Sequence, residues 1–350
     1  MKKTLLTLSI AAVFAVGASA AEFKAGTYTA KAPGIHGDVT VTVTFTKDKI
    51  ADVKVTHSET PGIGSKAAEL LPGRIVERQS PQVDGVTGAT ITSTAIRTAV
   101  ADTVKQAGAD PAALVPLAVK KQAKNETVDT DVVVVGGGGA GMSATIRTRM
   151  NGLNVVLVEK MPFIGGAASI SGGQVVAQGS KLQKAFGVTD DSVESMVKDF
   201  QANGHNLNDL SKLTLYAKNV GPTIDWLHDQ VGVKFIPNDL PFLAEYSHRR
   251  ALEFHCGAGT MAQHLREVIG SNGAKVLFNT RVEKLIVEDG KVTGVEAVDG
   301  NTGTKYTIRA KKTLLTTGGY GNNKDMLTDE MKSALYYGPA TSTGEGIQMA

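Results

Sequence analysis

Gly136, Gly138 and Gly141 fall at G-x-G-x-x-G spacing, directly after the run Val132–Val135 and ahead of a helical segment, Met142–Met150. Such spacing suits phosphate chemistry. The first glycine permits a tight turn, the second lets a pyrophosphate approach the backbone, and the third lets helix and strand pack closely. The helix N-terminus offers unpaired N–H groups and partial positive charge to the phosphates. Asn154-Val-Val-Leu-Val-Glu159 then reads as a second strand ending in an acid that can accept hydrogen bonds from a ribose. The plainer reading of the glycines alone is a flexible turn. Strand, turn, helix, strand and acid in that order predict a dinucleotide site instead. The motif does not choose between FAD and NAD.

A second stretch, Asp84-Gly-Val-Thr-Gly-Ala-Thr-Ile-Thr-Ser93, leads into a helix whose apolar positions Ile96, Val100 and Val104 recur every fourth residue. Thr90 is placed just ahead of that helix, where the N-terminus would stabilise a phosphate joined to its hydroxyl. The small neighbours Gly88 and Ala89 leave the hydroxyl accessible. Thr92 or Ser93 is expected to cap the helix, a role that does not account for Asp84, Thr87, Gly88, Ala89 and Thr90 together.

These groups need elements to hold them. Val39, Val41, Val43 and Phe45 alternate with threonines, the period of a half-buried strand, and Lys47-Asp-Lys49 turns the chain into a second strand through Ile50, Val53 and Val55. Ser58–Gly64 reads as a loop. Residues 22–108 form one small domain, 109–127 an alanine- and lysine-rich, partly helical linker, and 128–350 a larger domain. In that domain a second glycine-rich passage, Gly165 to Gly173, suggests close approach to a large flat ligand. Residues 181–231 read as mostly helical, with Ile224, Leu227 and Val231 at helical spacing, and Thr260 as the cap of a further helix. Strands are expected at Lys275–Phe278, Val282–Val287 and Val292–Val298, with a turn at Asp289-Gly290. Lys312–Gly321 is a strand running into a glycine turn.

A chain of 350 residues suggests two or three domains, its 42 % hydrophobic content is ample for buried cores, and a net charge of +3 without a dense basic run argues against nucleic acid as a partner. Lys2 and Lys3, an apolar run from Leu5 to Val16 and Ala18-Ser-Ala20 form a signal-peptide pattern, too short for a bilayer span of about 20 residues. Cleavage after Ala20 exports the chain, which in a Gram-negative cell means the periplasm. Cys256 is the single cysteine, so no intrachain disulfide and no C-x-x-C-H haem attachment is available. His248 and His255 lack a ligand pattern and read as surface or packing residues.

The stretch Asp84–Thr90 resembles the signature D-x-x-[ST]-G-A-[ST] of the FMN-binding domain family, which implies FMN held by a phosphodiester on Thr90, with Thr87 as the alternative and a flavin transferase as the partner that attaches it. Residues 128–350 resemble the fumarate reductase/succinate dehydrogenase flavoprotein family through Gly136–Gly141, Glu159, Gly165-Gly166, Ser171-Gly-Gly173, Asn279-Thr-Arg-Val282, Thr317-Gly-Gly319 and Thr343-Gly-Glu-Gly346. The whole chain is similar to the exported FMN/FAD reductases of 2-enoates, the urocanate reductase type. That resemblance implies non-covalent FAD at Gly136, Gly138, Ala140, Gly141, Glu159, Ala167, Ala168, Gly172, Gly173 and, through backbone, Val282. It also implies an α/β fold in which a small α+β FMN-binding domain precedes an incomplete Rossmann-type FAD-binding domain.

By the same resemblance, electrons pass from an external donor, such as a membrane-anchored quinol-linked cytochrome, through covalent FMN to FAD and on to an α,β-unsaturated carboxylate. Ala167 stands where the family commonly has Asn, and Glu345 where it usually has Asp. The family's capping-domain motifs follow its T-G-[DE]-G stretch, and the sequence stops at Ala350, so no catalytic residue is assigned and this chain alone is expected not to turn over a 2-enoate. Arg249, Arg250 and Arg281 sit in none of those motifs and read as surface charge or cofactor contacts. A non-catalytic electron carrier or an inactive fragment is the alternative.

Overall fold

The computed structural model describes residues 22–60, 64–86, 89–117, 123–236 and 240–350. The signal-peptide pattern, Thr87 and Gly88 lie outside them, as does part of the expected linker.

The N-terminal unit is an antiparallel meander, β1 (Gly26–Pro33), β2 (Asp38–Phe45) and β3 (Ile50–Thr56), covered by α1 (Gly64–Arg78) and α2 (Thr90–Gln106). The alternation in β2 plays out as read: Val39, Val41, Val43 and Phe45 face the helices, while Thr27–Thr44 and Thr29–Thr42 hydroxyl pairs line the open face. In β3, Ile50 and Val53 are both buried although three residues apart. A register shift between Thr44 and Phe45 supplies the extra residue that turns both inward, and Val55 is left half-exposed. Leu71 and Ile75 of α1 meet Ile96, Val100 and Val104 of α2 over the sheet. Each such burial is worth about 1.5–3 kcal/mol against leaving the side chain in water. Nothing in the sequence reading anticipated α1, because Pro72 in its middle cannot donate to the Ala68 carbonyl and argues locally against a helix.

The larger unit is built on a six-stranded sheet. Its strands are β4 (Asn125–Val135), β5 (Val155–Val158), β8 (Lys275–Leu277), β9 (Thr280–Glu288), β10 (Lys291–Asp299) and β11 (Lys305–Leu315), in the spatial order β8-β5-β4-β11-β10-β9. β4 begins at Asn125, so the last residues of the expected linker already pair with β11, from Asn125 opposite Lys305 to Val135 opposite Leu315. The neighbouring strands β8, β5, β4 and β11 run parallel and end in register: Leu315 beside Val135, Val135 beside Val158, and Val158 beside Leu277. Val132 and Val134 face one layer, with Met142 and Ile146 of α3 (Gly139–Met150) and Leu265 and Ile269 of α7 (Gly257–Ser271). Val133 and Val135 face the other, with Val282, Val295 and Ile308. Burial on both faces is why the run is unbroken valine.

Between β5 and β8 the chain makes an excursion through β6 (Gln174–Val176), α4 (Lys181–Ala185), α5 (Val193–Asn203), α6 (Leu210–Trp226), a π-helical turn at Leu227–Val231, and β7 (Ala251–Glu253), which pairs with β6. Arg250 sits inside it, 1 % exposed. This corrects the reading of Arg250 as surface charge or cofactor contact. Its guanidinium donates to both oxygens of Asp191 at 2.7 and 2.6 Å, to Asp199 at 2.6 Å and to Ser195 Oγ at 3.0 Å. Thr260 is not a cap either: α7 starts at Gly257, and the Thr260 hydroxyl donates to the Cys256 carbonyl. After β11 come α8 (Asp329–Lys332) and a final turn, α9 (Glu345–Met349).

Candidate functional site

The chain visits β4, β5 and β8 going one way across the sheet, then returns to the other side of β4 at β11. Ligands bind in open α/β sheets beyond the strand ends where the order reverses. A cavity of about 520 Å³ lies there, within the 300–1,000 Å³ typical of cofactor sites. Its walls are the turn Gly136–Ala140, the end of β5 with Glu159 and Lys160, the loop with Phe163, Ala167 and Ile170, Arg281–Val282 of β9, Thr316–Gly318, and Gly338–Ser342 with Glu345.

The glycines divide by role. Gly136 has φ +98° and lies against Thr316, whose hydroxyl donates to the Val135 and Gly136 carbonyls at 2.9 and 2.7 Å. A Cβ on Gly141 would run into the Gly136 carbonyl oxygen, so Gly141 serves close packing and stands behind the cavity wall. Gly138 is the N-cap of α3, and a Cβ there would meet nothing within 4 Å. That opening at a helix N-terminus is where a phosphate can approach backbone N–H groups.

Glu159 is 8 % exposed. Its Oε2 accepts the Gly137 N–H at 2.6 Å and its Oε1 the Met161 N–H at 2.8 Å. Burial pushes its pKa above the ordinary value, and these two bonds only partly offset it. One lone pair on each oxygen remains for a ribose hydroxyl. The residues present therefore fit a dinucleotide: an open helix N-terminus, a ribose acceptor and a cavity of the right volume.

Gly136, Gly138, Ala140, Glu159, Ala167 and Val282 are thus brought together on one cavity, with Gly141 supporting it. Ala168, Gly172 and Gly173 are not part of its wall; Ala168 packs toward Gly139, and Gly173, at φ +88°, lies against the start of α7. The sequence reading assigned no role to Lys160. Its Nζ donates to the Thr341 carbonyl at 2.8 Å, to Thr343 Oγ1 at 2.9 Å and to Glu345 Oε1 at 2.9 Å, closing the last segment over the cavity. Its place directly after the ribose acid was the available signal. Phe163 was also missed. It lines the cavity and at the same time packs against the core of the N-terminal unit.

In the N-terminal unit, Thr90 is exposed and is the first residue of the 17-residue α2. The expected caps are absent: the N-cap is Ala89, without a side-chain bond. Ser93 instead accepts the Val86 N–H at 2.9 Å, and the buried Thr92 hydroxyl turns inward to Glu59.

Residues 131–350 match the FAD binding domain family, and residues 34–105 match the FMN-binding domain family. The chain is 34 % identical over 315 residues to a urocanate reductase of Eggerthella lenta, covering 88 % of this chain and 52 % of that protein. It is 30 % identical to an NADH:acrylate oxidoreductase of Vibrio harveyi, covering 87 % of this chain and 36 % of the other. Among solved structures it is similar to the open conformation of a flavocytochrome c3 fumarate reductase, with a TM-score of 0.59 and 35 % identity over 64 % of this chain and 40 % of that one. The chain thus spans about half, or less, of the length of these relatives.

Proposed function

The chain belongs to the FAD binding domain family and carries an FMN-binding domain ahead of it; from this we propose that it serves the flavin-dependent reduction of α,β-unsaturated carboxylates. The relatives, named as urocanate and acrylate oxidoreductases, support that substrate class. FAD is held without a covalent bond. Gly138 and the start of α3 receive its pyrophosphate, Glu159 its ribose, and the Val282 backbone helps fix it from the β9 side. FMN is esterified to Thr90 by a flavin transferase. The chemistry the two flavins supply when bound is electron transfer from an external donor, a quinol-linked cytochrome or its equivalent, and hydride delivery to the β-carbon of the unsaturated acid.

Phe163 carries this reading. Because it faces both the cavity and the N-terminal core, the two flavin-binding units share a boundary at the rim of the FAD cavity. Export to the periplasm, supported by Lys2, Lys3 and the small residues Ala18-Ser-Ala20, would place the protein beside membrane-anchored electron donors.

The test begins with protein produced alongside a flavin transferase and then denatured. One flavin should be released as FAD and one should stay on the peptide bearing Thr90, absent only in Thr90→Ala. Attachment at Thr87, or no attachment, would overturn the Thr90 assignment. Reduced viologen offered anaerobically to the flavin-loaded gene product, with any sequence that follows Ala350 in it, should be reoxidised by at least one of urocanate, fumarate, acrylate or cinnamate, whereas residues 21–350 alone should turn over none of them. Inertness toward all four would leave an electron carrier in its place.

A further inference from the structure

Glu59 follows β3 and is 4 % exposed despite being a carboxylate. Its Oε1 accepts the N–H groups of Ile35, at 2.8 Å, and His36, at 3.2 Å, in the turn between β1 and β2. Its Oε2 accepts the Thr92 hydroxyl in a short hydrogen bond. Three segments far apart in sequence therefore converge on one side chain. Space around it is equally committed. A Cβ on Gly34 would run into Glu59 Oε1, and one on Gly64 would come within 2.8 Å of both Glu59 Cβ and Thr92 Oγ1. A buried carboxylate is costly unless hydrogen-bonded, and here the donors are supplied by the loops themselves. Burial would raise its pKa, but the Thr92 hydroxyl and the two amides hold it below the ordinary value, so it is ionised near neutral pH.

Thr92 and Thr90 share the first turn of α2, one buried and one exposed. That turn has no side-chain cap of its own, and among the described residues the side-chain hydrogen bonds that tie it to the rest of the unit are those of Thr92 and Ser93. We propose that Glu59, acting through Thr92, is the positioning residue that sets the first turn of α2 and so presents the Thr90 hydroxyl for attachment of FMN. The proposal rests on the Thr90 reading above. In the attachment step Thr90 Oγ attacks the FMN-side phosphorus of FAD held by the transferase. A phosphoester bond forms, the pyrophosphate P–O bond breaks, AMP leaves, and the hydroxyl proton passes to a base of the transferase. No electrons change hands.

Glu59 acts by its reach between two loops, not as a proton acceptor, and that distinction sets the variants. Thr92→Val keeps the shape and removes the hydroxyl; Thr92→Ser restores it. Glu59→Asp keeps the charge and shortens the reach, whereas Glu59→Gln keeps the reach and removes the charge. The full chain is incubated with a flavin transferase and FAD, and covalent flavin is followed by peptide mass spectrometry over time, with circular-dichroism melting as the check on folding. Thr92→Val and Glu59→Asp should slow attachment about tenfold or more, since small misplacements at a reacting group have large effects on rate. Thr92→Ser and Glu59→Gln should recover to within about threefold of the parent chain, with the same pH profile. If the parent is modified and all four variants match it, the positioning role is refuted. Loss with Glu59→Gln but not with Thr92→Val would refute it too, in favour of a charge or base role. A parent chain that takes no flavin on Thr90 sinks the attachment reading itself, and this proposal with it.

Discussion

Lys160 Nζ lies 2.9 Å from Glu345 Oε1, joining the residue after the ribose acid to α9 across 185 positions of sequence. The same ammonium holds Thr341 and Thr343, so one side chain ties three points of the last segment to the cavity. Both partners are about a third exposed, at 29 % and 34 %, and solvent screening limits such a pair to about 0.2–1 kcal/mol. Lys160→Met should therefore weaken FAD binding by about 1.4-fold to fivefold, read by titration at pH 7. Burial acts to raise the Glu345 pKa, but the Thr343 hydroxyl and Lys160 outweigh it and the value is lowered from 4.5. The contribution is then complete above pH 4.5 and fades as pH falls through the lowered value. Affinity for FAD that is unchanged in Lys160→Met would show that the wall holds without this pair.

Glu159→Ala removes the ribose acceptor and strands the N–H groups of Gly137 and Met161. A lost hydrogen bond to a charged group costs about 1.5–3 kcal/mol, or roughly tenfold to a hundredfold in affinity. The pH behaviour is opposite to that of Glu345. Burial raises the Glu159 pKa above 4.5, so ionising it costs the apo fold stability as pH rises from 4.5 through the raised value. Glu159→Gln should flatten that part of the stability–pH curve, measured by thermal melting without flavin. A curve identical to that of the parent would mean the carboxylate titrates normally.

Gly141→Ala and Gly138→Ala separate folding from binding. The first drives a methyl into the Gly136 carbonyl oxygen and should destabilise the apo chain by about 1–3 kcal/mol, as overpacking does. The second adds a methyl in open space, so the apo melting temperature should hold while FAD affinity drops, because that space is where the phosphates approach. Equal effects of the two on apo stability would contradict the division.

Arg250→Met leaves the buried Asp191 carboxylate and the partly buried Asp199 carboxylate without their guanidinium partner. Breaking one side of such a group costs about 3–5 kcal/mol, enough to unfold the excursion between β5 and β8. Urea denaturation followed at Trp226, which belongs to α6, would read it. Stability within about 1 kcal/mol of the parent would show that the carboxylates find other partners.

What the sequence makes legible depends on how local the cause is. Val39 to Phe45 and Val132 to Val135 declare their strands because side-chain period and two-sided burial are properties of the run itself. The turn from Gly136 to Gly141 is legible largely for the same reason, since Gly141 answers to Gly136 and Gly138 stands open at the helix N-terminus, although Gly136 also meets the distant Thr316. Arg250 is not legible, because what buries it is the arrival of Asp191 and Asp199 from α5 and the segment before it. Lys160 misleads in the same way, its partners lying at the far end of the chain. α1 is hidden by Pro72, whose local cost is outweighed by the burial of Leu71 and Ile75 beneath the sheet. Thr92 and Ser93 read as caps because their types favour it, but the buried acceptor Glu59 and the Val86 amide compete for their hydroxyls and win.

The adjacency of β4 and β11 also dictates the order in which this site can come into being. Gly136 and Thr316 touch, yet 180 residues separate them. Pairing their strands must close that entire loop, at an entropic cost that grows as the logarithm of its length. Sheets that depend on such distant pairings form slowly. The glycine turn and α3 can therefore assemble early beside β5, while the cavity has no second wall until β11 docks. A dinucleotide that binds only the closed form draws the equilibrium toward it by mass action. In a chain refolded from denaturant, the cofactor site should accordingly be a late product of folding, and a dinucleotide bound there would help hold the two halves of the sheet together.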